Sequence, residues 1–272
     1  MKLRDVAIGE GHDLAIVSGL NVLERLDGAL EVARALAGLG AKHARPVVFK
    51  ASFDKANRTR VDGFRGPGLD AGLEILAAVK AETGLPVLTD VHQPAQAAPV
   101  AEVADCLQVP AFLCRQTDLL RACAETGRAV NLKKGQFVAP EDMHHAVDKL
   151  RRFGCEDVLV TERGTSFGHH DLVVDYRGLA AMRAFTPVCF DATHAAQRPG
   201  ARDGASGGAR EVVAPLARAA VAAGVDALFV EVHPDPDRAP VDGPCQITPA
   251  ALDALLGEVV AIETALKAAG RP

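Results

Sequence analysis

Pro46-Val47-Val48-Phe49, running directly into Lys50-Ala51-Ser52-Phe53-Asp54-Lys55-Ala56-Asn57-Arg58, decides how this chain is read. Four apolar residues make a short buried strand, and the next nine contain three cations and an amide. In α/β proteins the carboxyl ends of strands carry the ligand groups, so cations placed there face a pocket. Such a cluster asks for an anion, with phosphate the leading candidate. Taken alone it would read as a solvated loop. The pattern recurs along the chain, which a surface loop would not do.

Apolar runs of strand length stand at Leu14–Val17, Pro46–Phe49, Pro86–Leu88, Cys106–Val109, Ala129–Leu132, Asp157–Val160, Pro187–Phe190 and Ala227–Val232. Between them lie stretches of helical periodicity, among them Val22–Leu39, Leu69–Thr83, Thr117–Thr126, Met143–Phe153 and Arg210–Ala223. Near-continuous apolar strands imply burial on both faces, hence a parallel sheet covered by helices. Eight of them predict a (β/α)8 TIM barrel, with residues 1–272 forming one domain. Gly40, Gly84, Gly127, Gly154 and Gly224 are read as left-handed helix caps before the following strands. Val6-Ala7-Ile8 with the glycine-rich residues after it predicts a hairpin arm returning into Leu14 and plugging the barrel floor. Arg198–Gly208, holding Gly200, Gly204, Gly207 and Gly208, is expected to be a mobile flap after the seventh strand.

Composition narrows the function. A formal net charge of -5 argues against general nucleic-acid binding, and the absence of Trp with a single Tyr leaves few stacking platforms. With 49% hydrophobic and 24% charged residues the chain is expected to be globular, and no run approaches the roughly 20 apolar residues of a spanning helix. Met1–Asp5 opens no apolar segment of signal length, so a cytoplasmic location is expected. The six cysteines show no C-x-x-C spacing and read as free, buried thiols.

Collected strand by strand, the chemistry-bearing residues are Asn21; Lys50, Lys55, Asn57 and Arg58; Asp90 and His92; Gln108, Ala111 and Arg115. Lys133, Lys134, Arg163, Asp191, His194, Glu231 and His233 follow. On a barrel they meet at one mouth, and cations from separate strands suit two anionic groups or two substrates. His194, Glu231 and Asp242 combine imidazole with two carboxylates, a set that can ligate a divalent metal. His194 reads also as a hydrogen-bonded loop residue.

Six segments in order then resemble one family, the 3-deoxy-D-manno-octulosonate 8-phosphate synthases. They are Lys50–Arg58, Gln108–Asp118 (QVPAFLCRQTD), Asn131–Phe137 (NLKKGQF), Thr161–Phe167 (TERGTSF), Asp191–His194 (DATH) and Glu231–Asp235 (EVHPD). The resemblance implies condensation of phosphoenolpyruvate with arabinose 5-phosphate, on the way to lipopolysaccharide, in a homotetramer with no cofactor. It implies that Lys50, Lys55, Gln108, the Ala111 amide, Lys133 and Arg163 hold phosphoenolpyruvate. Asn57, Arg58 and Thr59 would take the pentose phosphate, and Asn21, Lys50, His194, Glu231 and Asp242 would form the catalytic set. Thr59 stands where the family commonly has Ser, which retains the hydroxyl donor.

Members that need a metal carry Cys at the position of Asn21. An amide oxygen is a poorer ligand than a thiolate, so the resemblance points to the metal-independent branch. Two alternatives stand beside this reading. One is the seven-carbon relative that uses erythrose 4-phosphate, which usually has Lys-Pro-Arg-Thr-Ser where this chain has Lys-Ala-Asn-Arg. The other is a silent barrel that binds a sugar phosphate without turnover.

Overall fold

The computed structural model describes residues 1–202 and 205–270. It opens with a hairpin, β1 (Lys2–Leu3) and β2 (Val6–Ala7), then β3 (Ala15–Gly19), α1 (Leu26–His43), β4 (Val47–Lys50), α2 (Leu69–Thr83) and β5 (Val87–Asp90). There follow α3 (Pro94–Val103), β6 (Cys106–Val109), α4 (Thr117–Ala124), β7 (Ala129–Lys133), α5 (Met143–Arg152) and β8 (Val158–Glu162). A second hairpin, β9 (Thr165–Gly168) and β10 (Asp171–Val173), precedes α6 (Arg177–Arg183), β11 (Val188–Asp191) and the single turn α7 (Ala192–Ala195). The chain continues through β12 (Gln197–Arg202), β13 (Ala205–Gly208), α8 (Val213–Ala223), β14 (Ala227–Glu231) and α9 (Pro249–Ala268).

Eight parallel strands close in the order β11-β14-β3-β4-β5-β6-β7-β8, the predicted (β/α)8 barrel. Every residue of these strands is buried. Side chains alternate between two cores, as the two-residue period of a strand requires. Ile16, Phe49, Leu107, Leu132, Val160, Phe190 and Leu228 face outward against helix residues such as Leu36, Leu76, Leu120, Leu150 and Leu256. Ala15, Val17, Val48, Leu88, Cys106, Ala129, Leu159, Cys189 and Phe229 face inward and fill the lower barrel. Each such Leu or Phe removed from water contributes about 1.5–3 kcal/mol.

Leu3, Val6 and Ile8 join the inward core, so the N-terminal arm does plug the floor. Its pairing differs from expectation: Lys2 and Leu3 pair with Ala7 and Val6 around a turn in which Arg4 is left-handed (φ 54°), and Leu14 takes no part. Gly40 is also corrected. It lies inside α1, where a Cβ would meet the Val47 side chain at 2.8 Å, and the left-handed residue ending that helix is Ala44. Gly84 and Gly224 are the left-handed caps expected of them, and Gly127 and Gly154 also have positive φ. The expected start of α1 at Val22 fails because Val22 bridges to Ser52 beside the barrel, and the helix begins at Leu26. The glycine-rich flap folds as the antiparallel pair β12–β13; Gly204 lies outside the described residues.

Candidate functional site

The inward row of each strand ends in a polar residue at the carboxyl end of the barrel. Two residues past Val48 comes Lys50, past Leu88 comes Asp90, past Cys106 comes Gln108, past Cys189 comes Asp191 and past Phe229 comes Glu231. Leu159 leads in the same steps to Thr161 and Arg163, Ala129 to Asn131 and Lys133, and Val17 to Gly19 and Asn21. At Gly19 the β3 and β4 backbones are too close for a Cβ, which would collide with the Lys50 carbonyl. That approach carries Asn21 over the Lys50 ammonium.

Lys50, 1% exposed, donates to Glu231 Oε1 at 2.9 Å and Ser52 Oγ at 3.2 Å. Burial pushes its pKa down, but Glu231, Asp90 and Asp191 outweigh that and the ammonium is held above its ordinary value. Lys133 donates to Asp191 and stands 3.7 Å from the centroid of the Phe229 ring. For Lys133 burial wins over the attraction of Asp191, and its pKa is lowered. Asp90 and Asp191 are pushed far below the carboxylate range although burial opposes it. For Asp90 the opposing causes are His92, Lys55 and Lys50, and for Asp191 they are His194 and Lys133.

Above this layer opens a cavity of ≈ 510 Å³ lined by Lys50, Lys55, Lys133, Arg163, Asn57, Arg58 and Thr59. Gln108, Ala111, Asp90, His92, His194 and Asp242 complete the wall, and Pro199, Gly200 and Ser206 of the β12–β13 hairpin overhang it. The charge balance is uneven. Lys50 and Lys133 have carboxylate partners, whereas Lys55, Arg58 and Arg163 have none within ion-pair distance among the described residues. Arg163 donates Nη2 to Gln197 Oε1 at 2.6 Å, and its buried Nη1 has no partner. Burial lowers the Lys55 pKa, with Lys50 adding repulsion, and burial likewise lowers Arg163 despite Asp191 and Asp242. Partly or fully buried cations without a counter-charge are costly, and a bound anion relieves them.

Beneath one side of the cavity, Asn21 donates Nδ2 to Glu231 Oε2 at 2.5 Å and to Asp242 Oδ2 at 3.2 Å. Asp191 caps the turn α7, accepting from the His194 backbone N at 2.9 Å, and bonds His194 Nδ1 at 2.6 Å. That leaves His194 Nε2 3.7 Å from Glu231 Oε2. Asp242 is held left-handed (φ 49°), an unusual backbone for a non-glycine residue and one that recurs at functional sites. Ala111 opens a short 3-10 turn after Pro110, which leaves its N–H outside the turn's own bonding.

The expected set is thus brought together, with Asn21 and Glu231 forming the floor. Three collected residues are not. Lys134 points to the outer side and bonds the Gly135 and Val138 carbonyls and Thr165 Oγ1. His233 bonds Glu24, and Arg115 does not reach the wall. Gln136 and Gln197 line the cavity and were not singled out from sequence; Gln136 lies in the NLKKGQF segment, and Gln197 follows DATH by three residues. All six cysteines are free and buried, as expected. Among the described residues no helix is long and apolar enough to cross a membrane.

Comparison with known proteins agrees with the geometry. The model of the DAHP synthetase I family matches residues 1–268. A 2-dehydro-3-deoxyphosphooctonate aldolase of Nitratidesulfovibrio vulgaris is 58% identical over 248 residues, 91% of each chain. Proteins of that name from Cyanothece sp. (52% identical, 96% of each chain) and Rickettsia bellii (54% identical, 91% of this chain and 90% of the relative) align along nearly the same length. The chain belongs to the DAHP synthetase I family and, within it, to the 2-dehydro-3-deoxyphosphooctonate aldolases.

Proposed function

We propose that this enzyme condenses phosphoenolpyruvate with D-arabinose 5-phosphate and water, giving 3-deoxy-D-manno-octulosonate 8-phosphate and inorganic phosphate for lipopolysaccharide synthesis. The observation that carries this reading is the set of cations with no carboxylate partner among the described residues, Lys55, Arg58 and Arg163, around one cavity whose floor is already charge-balanced. Phosphoenolpyruvate would lie against Lys50, Lys55, Gln108, the Ala111 amide, Lys133 and Arg163. The pentose phosphate would lie against Asn57, Arg58 and Thr59.

In the reaction C3 of phosphoenolpyruvate bonds to the aldehyde carbon, whose oxygen takes up a proton. Water adds to C2 and gives up a proton, and the C2–O bond to phosphate then breaks. Charge develops on several oxygens, and cations fixed beforehand stabilise it without reorganisation. Glu231 and Asp191 hold the Lys50 and Lys133 ammonium groups in place. Asn21 and His194 would orient aldehyde and water, while Asp242, Glu231, His194 and the substrate phosphate are the candidate proton acceptors.

The donor set does not fit a metal. Between the Glu231 and Asp242 carboxylates stands the Asn21 NH2 group, an N–H donor where a cation would need a ligand. We therefore assign the enzyme to the metal-independent branch, with His194, Glu231 and Asp242 serving substrate rather than metal. Closure of one barrel by strands from Ala15 to Glu231 supports a single catalytic domain. We also propose a homotetramer in the cytoplasm; packing of subunits would cover the exposed Val61, Phe64, Phe112 and Phe137 near the cavity mouth.

Phosphate release on mixing the two substrates tests the reading. Stoichiometric release with formation of the eight-carbon product is expected. Binding of both without release would instead make this barrel a sugar-phosphate sensor.

A further inference from the structure

Across three neighbouring strands of the barrel interior runs a chain of hydrogen bonds that the reaction as described does not use. Thr161 Oγ1 on β8 donates to Asn131 Oδ1 on β7 at 2.6 Å, and Asn131 Nδ2 donates to Gln108 Oε1 on β6 at 3.1 Å. Thr161 and Asn131 are fully buried, and Gln108 is 6% exposed, at the cavity wall. The register opposes Gln108 to Asn131 directly, so the pair is fixed by the sheet itself.

A side-chain amide has one accepting and one donating end, and hydrogen-bond partners decide which way it points. With Oε1 of Gln108 taken by Asn131, its NH2 group is the end left for the cavity, and among the described residues Nε2 makes no hydrogen bond. The head of the chain favours the same polarity. Burial pushes the Cys189 thiol, opposite Thr161 in the sheet, up to about 12, so it stays an S–H donor beside the Thr161 hydroxyl. With no thiolate beside it to donate to, the Thr161 hydroxyl gives its hydrogen bond to Asn131.

We propose that Thr161 and Asn131 are positioning residues that hold the Gln108 amide with its NH2 group aimed into the cavity, making Gln108 a neutral donor to the anion bound there. A reversed amide would present a carbonyl oxygen to that anion instead, a repulsive contact in a water-poor site. The inference rests on phosphoenolpyruvate occupying this wall.

Thr161→Val keeps shape and removes only the hydroxyl, so the Asn131 amide loses the partner that fixes it. The expected result is a KM for phosphoenolpyruvate raised about tenfold, with the KM for arabinose 5-phosphate unchanged and Thr161→Ser restoring the wild-type value. Should Thr161→Val fail to fold, neutron diffraction of the deuterated wild-type protein reads the amide directly, with deuterons expected on the cavity side of Gln108. An unchanged KM for phosphoenolpyruvate, equal change in both KM values, or a Gln108 carbonyl facing the cavity overturns the proposal. Wild-type protein that releases no phosphate from the two substrates would instead overturn the functional reading on which it rests.

Discussion

Asn21 donates to the Glu231 carboxylate at 2.5 Å across the floor of the barrel mouth. The same amide nitrogen reaches Asp242 at 3.2 Å, so two carboxylates that would otherwise repel share one neutral donor. Asn21 Nδ2 thus ties the two carboxylates together, and in the metal-independent reading proposed above the amide replaces a thiolate-held metal.

Exhaustive chelation should therefore leave turnover intact. Loss of activity that manganese or zinc restores would contradict the assignment. The variant Asn21→Cys supplies the missing thiolate and should retain a divalent ion through gel filtration, read as metal per subunit; unchanged metal content would count against the geometry.

Acid should weaken the fold through the same floor. Glu231 is held at about 2 against an ordinary 4.5, because Lys50, His194 and Lys55 together outweigh the effect of burial. A depressed carboxylate pKa stabilises the fold fully above pH 4.5 and ceases to do so as pH falls toward 2. The difference amounts to about 3 kcal/mol. Urea unfolding of wild type at pH 6 and pH 3 should reveal a loss of about 2 kcal/mol from Glu231, with Asp90 and Asp191 adding in the same direction. Glu231→Gln should be less stable at pH 6 by about 3 kcal/mol, since Lys50 is left buried and unpaired, and should lose less on acidification. Equal pH slopes for the two proteins would refute this.

Arg58 carries a buried Nε without a partner and lines the cavity beside Asn57 and Thr59. Arg58→Ala should raise the KM for arabinose 5-phosphate roughly 30-fold, the effect of losing about 2 kcal/mol of charged hydrogen bonding. The KM for phosphoenolpyruvate should stay within about twofold. A rise in the latter instead would exchange the two subsites.

The overhanging hairpin rests on the Asp242 loop beside Pro244 and Cys245. A Cβ on Gly208 would fall on Cys245 Sγ, three residues from Asp242. Gly208→Ala should destabilise the protein by about 1–3 kcal/mol and lower kcat, and adding Cys245→Ala should recover most of both. Failure of the second change to rescue the first would mean the contact is not what seats the hairpin.

Much of this was legible in the chain because buried parallel strands are written as unbroken apolar runs. The barrel count and the polar residues at the strand ends followed from that. Lys133 and Lys134 were not separable by the same rule, since both follow the run; only the two-residue alternation, counted from Ala129, sends the first inward and the second out to the Val138 carbonyl. The start of α1 was obscured because Val22 and Leu23 continue the apolar pattern while belonging to the barrel rim, where Leu23 N–H donates to the Ser52 carbonyl. The helices α3, α6 and α9 were not named from sequence; α3 carries an internal Pro99, which weakens a helical pattern. Helix capping alone could not reveal that Gly40 is small to let Val47 pack.

In the proposed reaction, cations from separate strands grip phosphoenolpyruvate and a five-carbon sugar phosphate in one cavity. Initial rates of phosphate release from phosphoenolpyruvate, with arabinose 5-phosphate or erythrose 4-phosphate as the aldehyde, test it most directly. Rapid release is expected with the five-carbon aldehyde and little with the four-carbon one; a clear preference for erythrose 4-phosphate would contradict this.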